Sequence, residues 1–161
     1  MRKTFTVAFI GHRYIENSVA VEKKLDRLIA DLLGQHEYVE FLVGRDGEFD
    51  QLAASAVRRA KRAYGNDNSA LVWVMAYESA EYKNNEASFD DYYDEIEICD
   101  KSAQSHFKAA IQIRNQNMVD RSDMLIAYVS RDTGGAAQTV KYAVKCGKKI
   151  INLAMKEDNG D

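Results

Sequence analysis

Residues 114–135, RNQNMVDRSDMLIAYVSRDTGG, decide the fold, because a helix end, a buried strand and a glycine turn follow one another in them. The apolar run 124–129 leads to the pair Gly134-Gly135, after which helical spacing resumes. A strand that passes through glycines into a helix exposes backbone N–H groups and the positive end of the helix dipole. The segment therefore predicts an anion-binding turn at the carboxyl end of a strand, and phosphate is the anion that suits it best.

Strands and helices alternate along the whole chain. Apolar runs predict strands at 4–10, 38–43, 70–76, 95–99, 124–129 and 149–154. Helical spacing predicts four helices: from a cap at Asn17 or Ser18 to Gly34, at about 51–64, at about 102–119, and from the glycine pair to Lys145. Residues 78–94 have no clear period, which predicts a long loop or a short helical piece. This order is typical of one α/β Rossmann-like domain of three layers with a mostly parallel sheet, here 1–155, followed by a polar C-terminal tail, 156–161.

Composition narrows the class of protein. The chain has 161 residues, of which 46% are hydrophobic and 29% charged, and its formal net charge of −3 disfavours a dedicated nucleic-acid binder. Cys99 and Cys146 are expected to be buried free thiols of a reducing cytosol. The three histidines lie in separate segments, so we predict neither a metal site nor a cofactor. The sequence shows no signal peptide or membrane-spanning stretch, and we expect a cytoplasmic protein.

The carboxyl ends of the strands are the expected binding region. In open parallel sheets, ligands bind beyond these ends, near the point where the strand order reverses. The segments to inspect are therefore 11–13, 44–50, 77–78 and 130–135.

Each of these segments has a functional and a purely structural interpretation. Arginine offers a planar set of donors for phosphate; the structural alternative at 11–13 is a solvated arginine and a histidine that packs on the strand end. Asp50 either contacts a ligand or caps a helix, and Arg114 either points into a pocket or pairs with Asp120 or Asp123. The residues predicted to bind a nucleotide or phosphate are Gly11, His12, Arg13, Gly44, Gly47, Glu48, Asp50, Arg114, Gly134, Gly135 and Ala136.

Two other features have structural interpretations that compete with function. The basic run 58–62 spreads its charges around a helix, which favours a solvated face over nucleic-acid contact. Tyr92 and Tyr93 are candidates for stacking on a base, or else pack the irregular segment against the domain.

Taken together, these motifs resemble the SLOG superfamily, which contains the Lonely-Guy phosphoribohydrolases and DNA-processing protein A. The resemblance is closest to the YpsA-like branch and spans nearly the whole chain. It rests on the strand ending Phe9-Ile-Gly-His-Arg13, on Gly47-x-Phe49-Asp50-x-x-Ala53, on the run from Arg114 to Asp123, on Gly134-Gly135 and on Tyr142-Ala143.

The resemblance implies a nucleotide pocket at the strand ends. Arg114 and Met118 match the Arg-x-x-x-Met motif of the Lonely-Guy enzymes. Their Pro-Gly-Gly-x-Gly-Thr-x-x-Glu motif is altered here: Thr133 replaces the proline, Ala137 the third glycine and Gln138 the threonine, and Val140 and Lys141 fill the positions near the catalytic glutamate. Without that carboxylate, a pocket is expected to bind a nucleotide without cleaving it, unless Glu48 or Asp50 substitutes.

Three functions follow, in order of preference. The first is binding of a nucleotide-derived small molecule, a nucleoside monophosphate or an ADP-ribose derivative, by a sensor or sequestering module. The second is hydrolysis of a nucleoside 5′-monophosphate at its N-glycosidic bond, and the third is a DNA-associated module. The resemblance also implies a homodimer.

Overall fold

The computed structural model describes residues 2–154, and the C-terminal tail proposed at 156–161 lies outside them. A single six-stranded sheet with the order β4-β3-β2-β1-β5-β6 runs through the domain, and all of its strand pairs are parallel. The strands are β1 Thr4–Gly11, β2 Tyr38–Val43, β3 Ser69–Met75, β4 Glu95–Ile98, β5 Met124–Tyr128 and β6 Lys149–Asn152. The α/β Rossmann-like fold predicted from the sequence is thereby confirmed.

Seven helices connect the strands in the described part of the chain. They are α1 Ser18–Gln35, α2 Glu48–Tyr64, α3 Ala80–Asn84, α4 Glu86–Tyr92, α5 Asp100–Ala103, α6 Phe107–Asp120 and α7 Gly135–Lys145. None of them is both long enough and apolar enough to cross a membrane.

The helices cover both faces of the sheet and give the three layers. Alternate side chains of the strands, such as Phe9 and Phe41, pack with α1 and α2 on one face. The intervening side chains, such as Ala8 and Leu42, pack with Met118 of α6 and the apolar side of α7 on the other face. Strand β3 is buried along its whole length, as expected when both faces are covered.

Two predicted helix boundaries were wrong. Helix α2 begins at Glu48 and not near Gln51, because the acidic residues Glu48 and Asp50 occupy its first turn, where the helix dipole favours negative charge. The helix predicted at 102–119 is interrupted after Ala103, because His106 caps a new helix by accepting from the Lys108 N–H at 3.3 Å. The segment 78–94, predicted as a long loop or a short helical piece, contains the short helices α3 and α4, whose Tyr82 and Phe89 pack against Trp73.

The strand order reverses between β1 and β5. The chain moves from β1 outward to β4, returns through α6 to β5 on the other side of β1, and ends at β6. The loops that follow β1 and β5 therefore diverge to opposite faces and leave a crevice between them, which is where parallel sheets bind ligands.

Candidate functional site

A cavity of about 390 Å³ lies at this reversal point, beyond the carboxyl ends of β1, β2 and β5. Its size falls within the range of small-molecule sites. Eight of the predicted residues line it: Gly11, His12, Arg13, Gly44, Asp50, Gly134, Gly135 and Ala136. The three that do not are Gly47, Glu48 and Arg114.

The N-terminus of α7 forms one wall of the cavity. Gly134 precedes the helix with φ 96° and ψ 173°, a conformation that glycine adopts far more readily than other residues, and no side chain caps the helix. The N–H groups of Gly135, Ala136 and Ala137 donate to no acceptor within residues 2–154. Arg13, in the loop after β1, and Arg131, in the loop after β5, are exposed at the same cavity, so the cavity offers positive charge as well as unused backbone donors.

His12 joins the loops that follow β1 and β5. Its ring Nε2 accepts from the backbone N–H of Ser130 at 2.9 Å and from that of Arg131 at 3.4 Å. The backbone N–H of His12 donates to the carbonyl of Tyr128. An acceptor Nε2 requires a neutral ring with the proton on Nδ1. Burial, and then the charge of Arg131, lower the pKa of His12, in agreement with that state.

Gly11, Gly47 and Glu48 have structural roles, which follow from their contacts within the protein. A Cβ on Gly11 would meet the ring of Phe49 at 2.4 Å, and a Cβ on Gly47 would meet Cα of Arg13 at 2.4 Å. The N–H of Glu48 donates to the carbonyl of Arg13, and its carboxylate accepts from the N–H of Ile15. These contacts hold the loop after β1 against the start of α2, so that Arg13 is placed at the cavity.

Arg114 is buried, with 2% of its surface exposed, and pairs with a residue that sequence reasoning did not propose. Its guanidinium donates to the carboxylate of Asp46, to the carbonyl of Val74 at 2.9 Å and, through Nε, to Oδ1 of Asn115 at 2.9 Å. The alternative of an ion pair with Asp120 or Asp123 is therefore wrong, because Arg114 pairs with Asp46. Gly44 provides room for this group, because a Cβ there would lie 3.1 Å from the guanidinium.

Asp50 is a buried carboxyl at the wall of the cavity. It is 7% exposed, and its Oδ2 accepts from the N–H of Asp46 at 2.9 Å. Burial, and then the negative charge of Asp46, raise the pKa of Asp50 to about 7. Perturbed carboxyls of this kind concentrate at functional sites.

Asn115, Asp46, Tyr14 and Arg131 also line the cavity, although we did not single them out from the sequence. Each of them is adjacent in the sequence to a predicted site residue or lies within a predicted segment. That adjacency is the sequence signal by which they could have been identified. Asn115 is 8% exposed, whereas Tyr14 is 85% exposed at the rim.

A smaller cavity of about 160 Å³ adjoins the first over the end of β3. The two share Asp46 and Ile111 as lining residues, and Arg114 lies in the smaller one. They therefore form a trough along the carboxyl edge of the sheet.

The remaining candidates from the sequence contribute to packing. Tyr93 is buried and accepts at its hydroxyl from Arg45, and the Arg58 guanidinium lies 4.1 Å from the ring centre of Tyr92. In the basic run, Arg59 pairs with Asp26 of α1, and Lys61 is buried against the carbonyl of Ser69.

The two cysteines differ in their exposure. Cys99 is buried as expected, but Cys146 is exposed, so the expectation for that thiol was wrong. Residues 2–154 contain no cluster of three or more His, Cys, Asp or Glu side chains suited to a metal ion.

Comparison with known proteins identifies the fold. No family model and no curated protein matches the chain in sequence. DNA-processing protein A from Streptococcus pneumoniae shares 17% identity with a TM-score of 0.65, over 98% of this chain and 53% of its own length. The chain thus spans about half of that protein.

Two further solved structures match at similar identity. DNA-processing protein A from Helicobacter pylori, which has a single-stranded DNA binding mode, shares 14% identity with a TM-score of 0.65, over 96% of this chain and 67% of its own. The molybdenum cofactor carrier protein from Chlamydomonas reinhardtii shares 17% identity with a TM-score of 0.58, over 96% of this chain and 79% of its own. The chain therefore shares a Rossmann-like fold with these structures, and membership of the SLOG superfamily and of its YpsA-like branch stays a prediction.

Proposed function

We propose that this protein binds a phosphate-bearing, nucleotide-derived small molecule in the cavity between β1 and β5, as a sensor or sequestering module. The observation that carries the proposal is the uncapped N-terminus of α7, whose unused N–H groups line the cavity together with Arg13 and Arg131. Backbone donors, a helix dipole and guanidinium groups together suit a phosphate.

The rest of the trough is suited to a neutral part of the ligand. Arg114 and Asp46 neutralise each other below the cavity, so that end offers no net positive charge to a second phosphate. The phosphate would be bound at the N-terminus of α7, within the cavity that Arg13 and Arg131 also line, with the remainder of the ligand extending toward Gly44 and Asp50.

Calorimetric titration with inorganic phosphate, AMP and ADP-ribose tests the proposal. We expect AMP and ADP-ribose to bind, and we expect Arg131→Ala and Arg13→Ala each to weaken binding by about tenfold, because a charge-assisted hydrogen bond is lost. Arg27→Ala, on the exposed side of α1, is the matched control and should bind as the wild type does. Folded protein that binds none of the three compounds would refute the proposal.

The same mixtures test the hydrolase alternative. Asp50 has a pKa of about 7, which suits proton transfer at neutral pH. The protein is incubated with AMP at high protein concentration, and free adenine is detected by chromatography. Release of adenine that is abolished in Asp50→Asn would show that the protein is an enzyme.

Single-stranded DNA is the second candidate ligand. Tyr14 is exposed next to Arg13 at the rim of the cavity, and an aromatic ring beside an arginine is typical of single-strand binding surfaces. The net charge of −3 disfavours it. A gel shift with an oligonucleotide that weakens steeply with added salt and with Tyr14→Ala would favour DNA over the small molecule.

A further inference from the structure

The inner wall of the cavity contains two buried polar side chains that the phosphate site does not use. Asp50 and Asn115 are 7% and 8% exposed, and both line the cavity. Asp50 accepts one hydrogen bond, from the N–H of Asp46, and no other described group donates to its carboxyl. The amide nitrogen of Asn115 donates to no described group.

The orientation of Asn115 is determined by its neighbour. The Nε–H of Arg114 is a donor and lies 2.9 Å from the side-chain oxygen of Asn115. The amide oxygen must face that donor, and the NH₂ group is left for the cavity. Arg114 is in turn held by Asp46 and by the carbonyl of Val74, so the position of the amide is set by a buried network.

The chemistry of these two groups favours hydroxyls as ligand groups. Asp50 offers a carboxyl oxygen that accepts when ionised, and Asn115 offers a donor. A hydroxyl both donates and accepts, so a sugar diol can satisfy the two together. A second phosphate is disfavoured here, because Asp50 and Asp46 contribute negative charge and Arg114 is already paired with Asp46.

The distance between the two walls also fits a sugar phosphate. Asp46 and Asp50 follow β2, whereas Gly134 follows β5, and β1 lies between these strands. Two strand spacings separate the walls by roughly 10 Å. A phosphate and the ring hydroxyls of the sugar that bears it are a few bonds apart and can reach both.

We propose that Asp50 and Asn115 form a ribose-binding subsite that recognises the hydroxyls of a ribonucleotide or ribose phosphate, whose phosphate lies at the N-terminus of α7. The inference rests on the proposed function. It narrows the ligand to molecules with unmodified sugar hydroxyls, and it disfavours DNA, whose internal sugars have no hydroxyl to offer.

The test compares ligands that differ in their hydroxyls. Calorimetric titration is carried out with inorganic phosphate, ribose 5-phosphate, AMP and 2′,3′-dideoxy-AMP. We expect AMP to bind about tenfold or more tightly than the dideoxy compound, because the buried polar groups lose their partners when the hydroxyls are removed.

Variants separate the subsite from the phosphate site. Asp50→Asn keeps the shape and an acceptor for the Asp46 N–H, and it should reduce the preference for AMP over dideoxy-AMP to about threefold or less while the affinity for inorganic phosphate is unchanged. Asn115→Ala should do the same. Asn117→Ala changes the same residue type on the same helix outside the cavity, and should keep the full preference.

The outcomes distinguish the two proposals. Binding of phosphate and AMP without any preference over dideoxy-AMP overturns the ribose subsite and leaves the proposed function standing. Absence of binding by every compound overturns both. If Asn115→Ala fails to fold, Asp50→Asn decides alone, and an unchanged preference in that variant overturns the subsite.

Discussion

Two buried charged residues near the cavity differ in how completely the protein satisfies them. Arg114 is buried and donates to the carboxylate of the partly exposed Asp46, to Asn115 and to the carbonyl of Val74. Asp50 has a single donor and a neighbouring negative charge. The charge of Arg114 is therefore compensated within the protein, whereas Asp50 is destabilising when it is ionised.

The pH dependence of stability tests this view of Asp50. Its pKa rises from 3.8 to about 7 on folding, so between these values the folded state binds the proton more strongly, and stability falls as the pH rises through this window. We expect Asp50→Asn to gain on the order of 2 kcal/mol relative to the wild type between pH 5 and pH 8, measured by denaturant unfolding.

Asp31→Asn, on the exposed side of α1, is the matched control for this measurement. It should track the wild type across the same pH range. If Asp50→Asn also tracks the wild type, the carboxyl of Asp50 does not ionise at a cost and the argument is wrong.

At the scale of elements, the turn into α7 depends on one of its two glycines. Gly134 has a φ of 96°, whereas Gly135 is the first helical residue, and a Cβ there would meet only Gln112 Oε1 at 3.7 Å. The unusual backbone of Gly134 aims the first N–H groups of α7 at the cavity. The pair therefore has unequal roles, although the sequence presents the two glycines side by side.

We expect Gly134→Ala to destabilise the protein by about 1–3 kcal/mol, because a side chain is strained at this φ and ψ. It should also weaken binding of AMP, since the helix start must shift. Gly135→Ala should change the free energy of unfolding by less than about 0.5 kcal/mol. Thermal or denaturant unfolding of both variants checks this, and equal losses in the two would contradict it.

The elements also show what the sequence could reveal. Apolar runs located all six strands to within two residues, because each run is buried on both faces or bounded by glycine and polar residues. The start of α2 was misplaced because Gly44 and Gly47 look like a ligand loop, whereas they make room for Arg114 and for the backbone of Arg13.

The sequence could not reveal ion-pair and hydrogen-bond partners that lie far apart along the chain. Arg114 is paired with Asp46, 68 residues earlier, and no local pattern connects a helix in the second half of the chain to a loop after β2. Asn115 directly follows Arg114 in the sequence, but the orientation of its amide is determined by the buried Arg114 and needed the folded structure. The segments of the site were predictable from strand ends, and the network among them required the folded structure.

At the scale of the whole molecule, the cavity joins both halves of the chain. Its walls come from β1 and the start of α2 on one side of the reversal point, and from α6 and α7 on the other. A ligand that contacts both halves is expected to stabilise the domain as one unit, because it binds the folded state and not the unfolded chain.

Thermal unfolding in the presence of AMP measures this effect. At a ligand concentration of 100 times Kd, we expect a gain of about 2.7 kcal/mol in the free energy of unfolding and a corresponding rise in Tm. Arg131→Ala should show a smaller rise at the same AMP concentration. A Tm that does not depend on AMP at any concentration would contradict the proposed site.

The homodimer that the family resemblance implies stays a prediction.

The chain contains a single tryptophan, Trp73, which is 4% exposed near the end of β3. It contacts Tyr82 and Phe89 of the short helices and also lines the smaller cavity of the trough. The indole is therefore a built-in fluorophore that senses the docking of α3 and α4 and the filling of the trough. Its emission can follow ligand entry in real time without any chemical label.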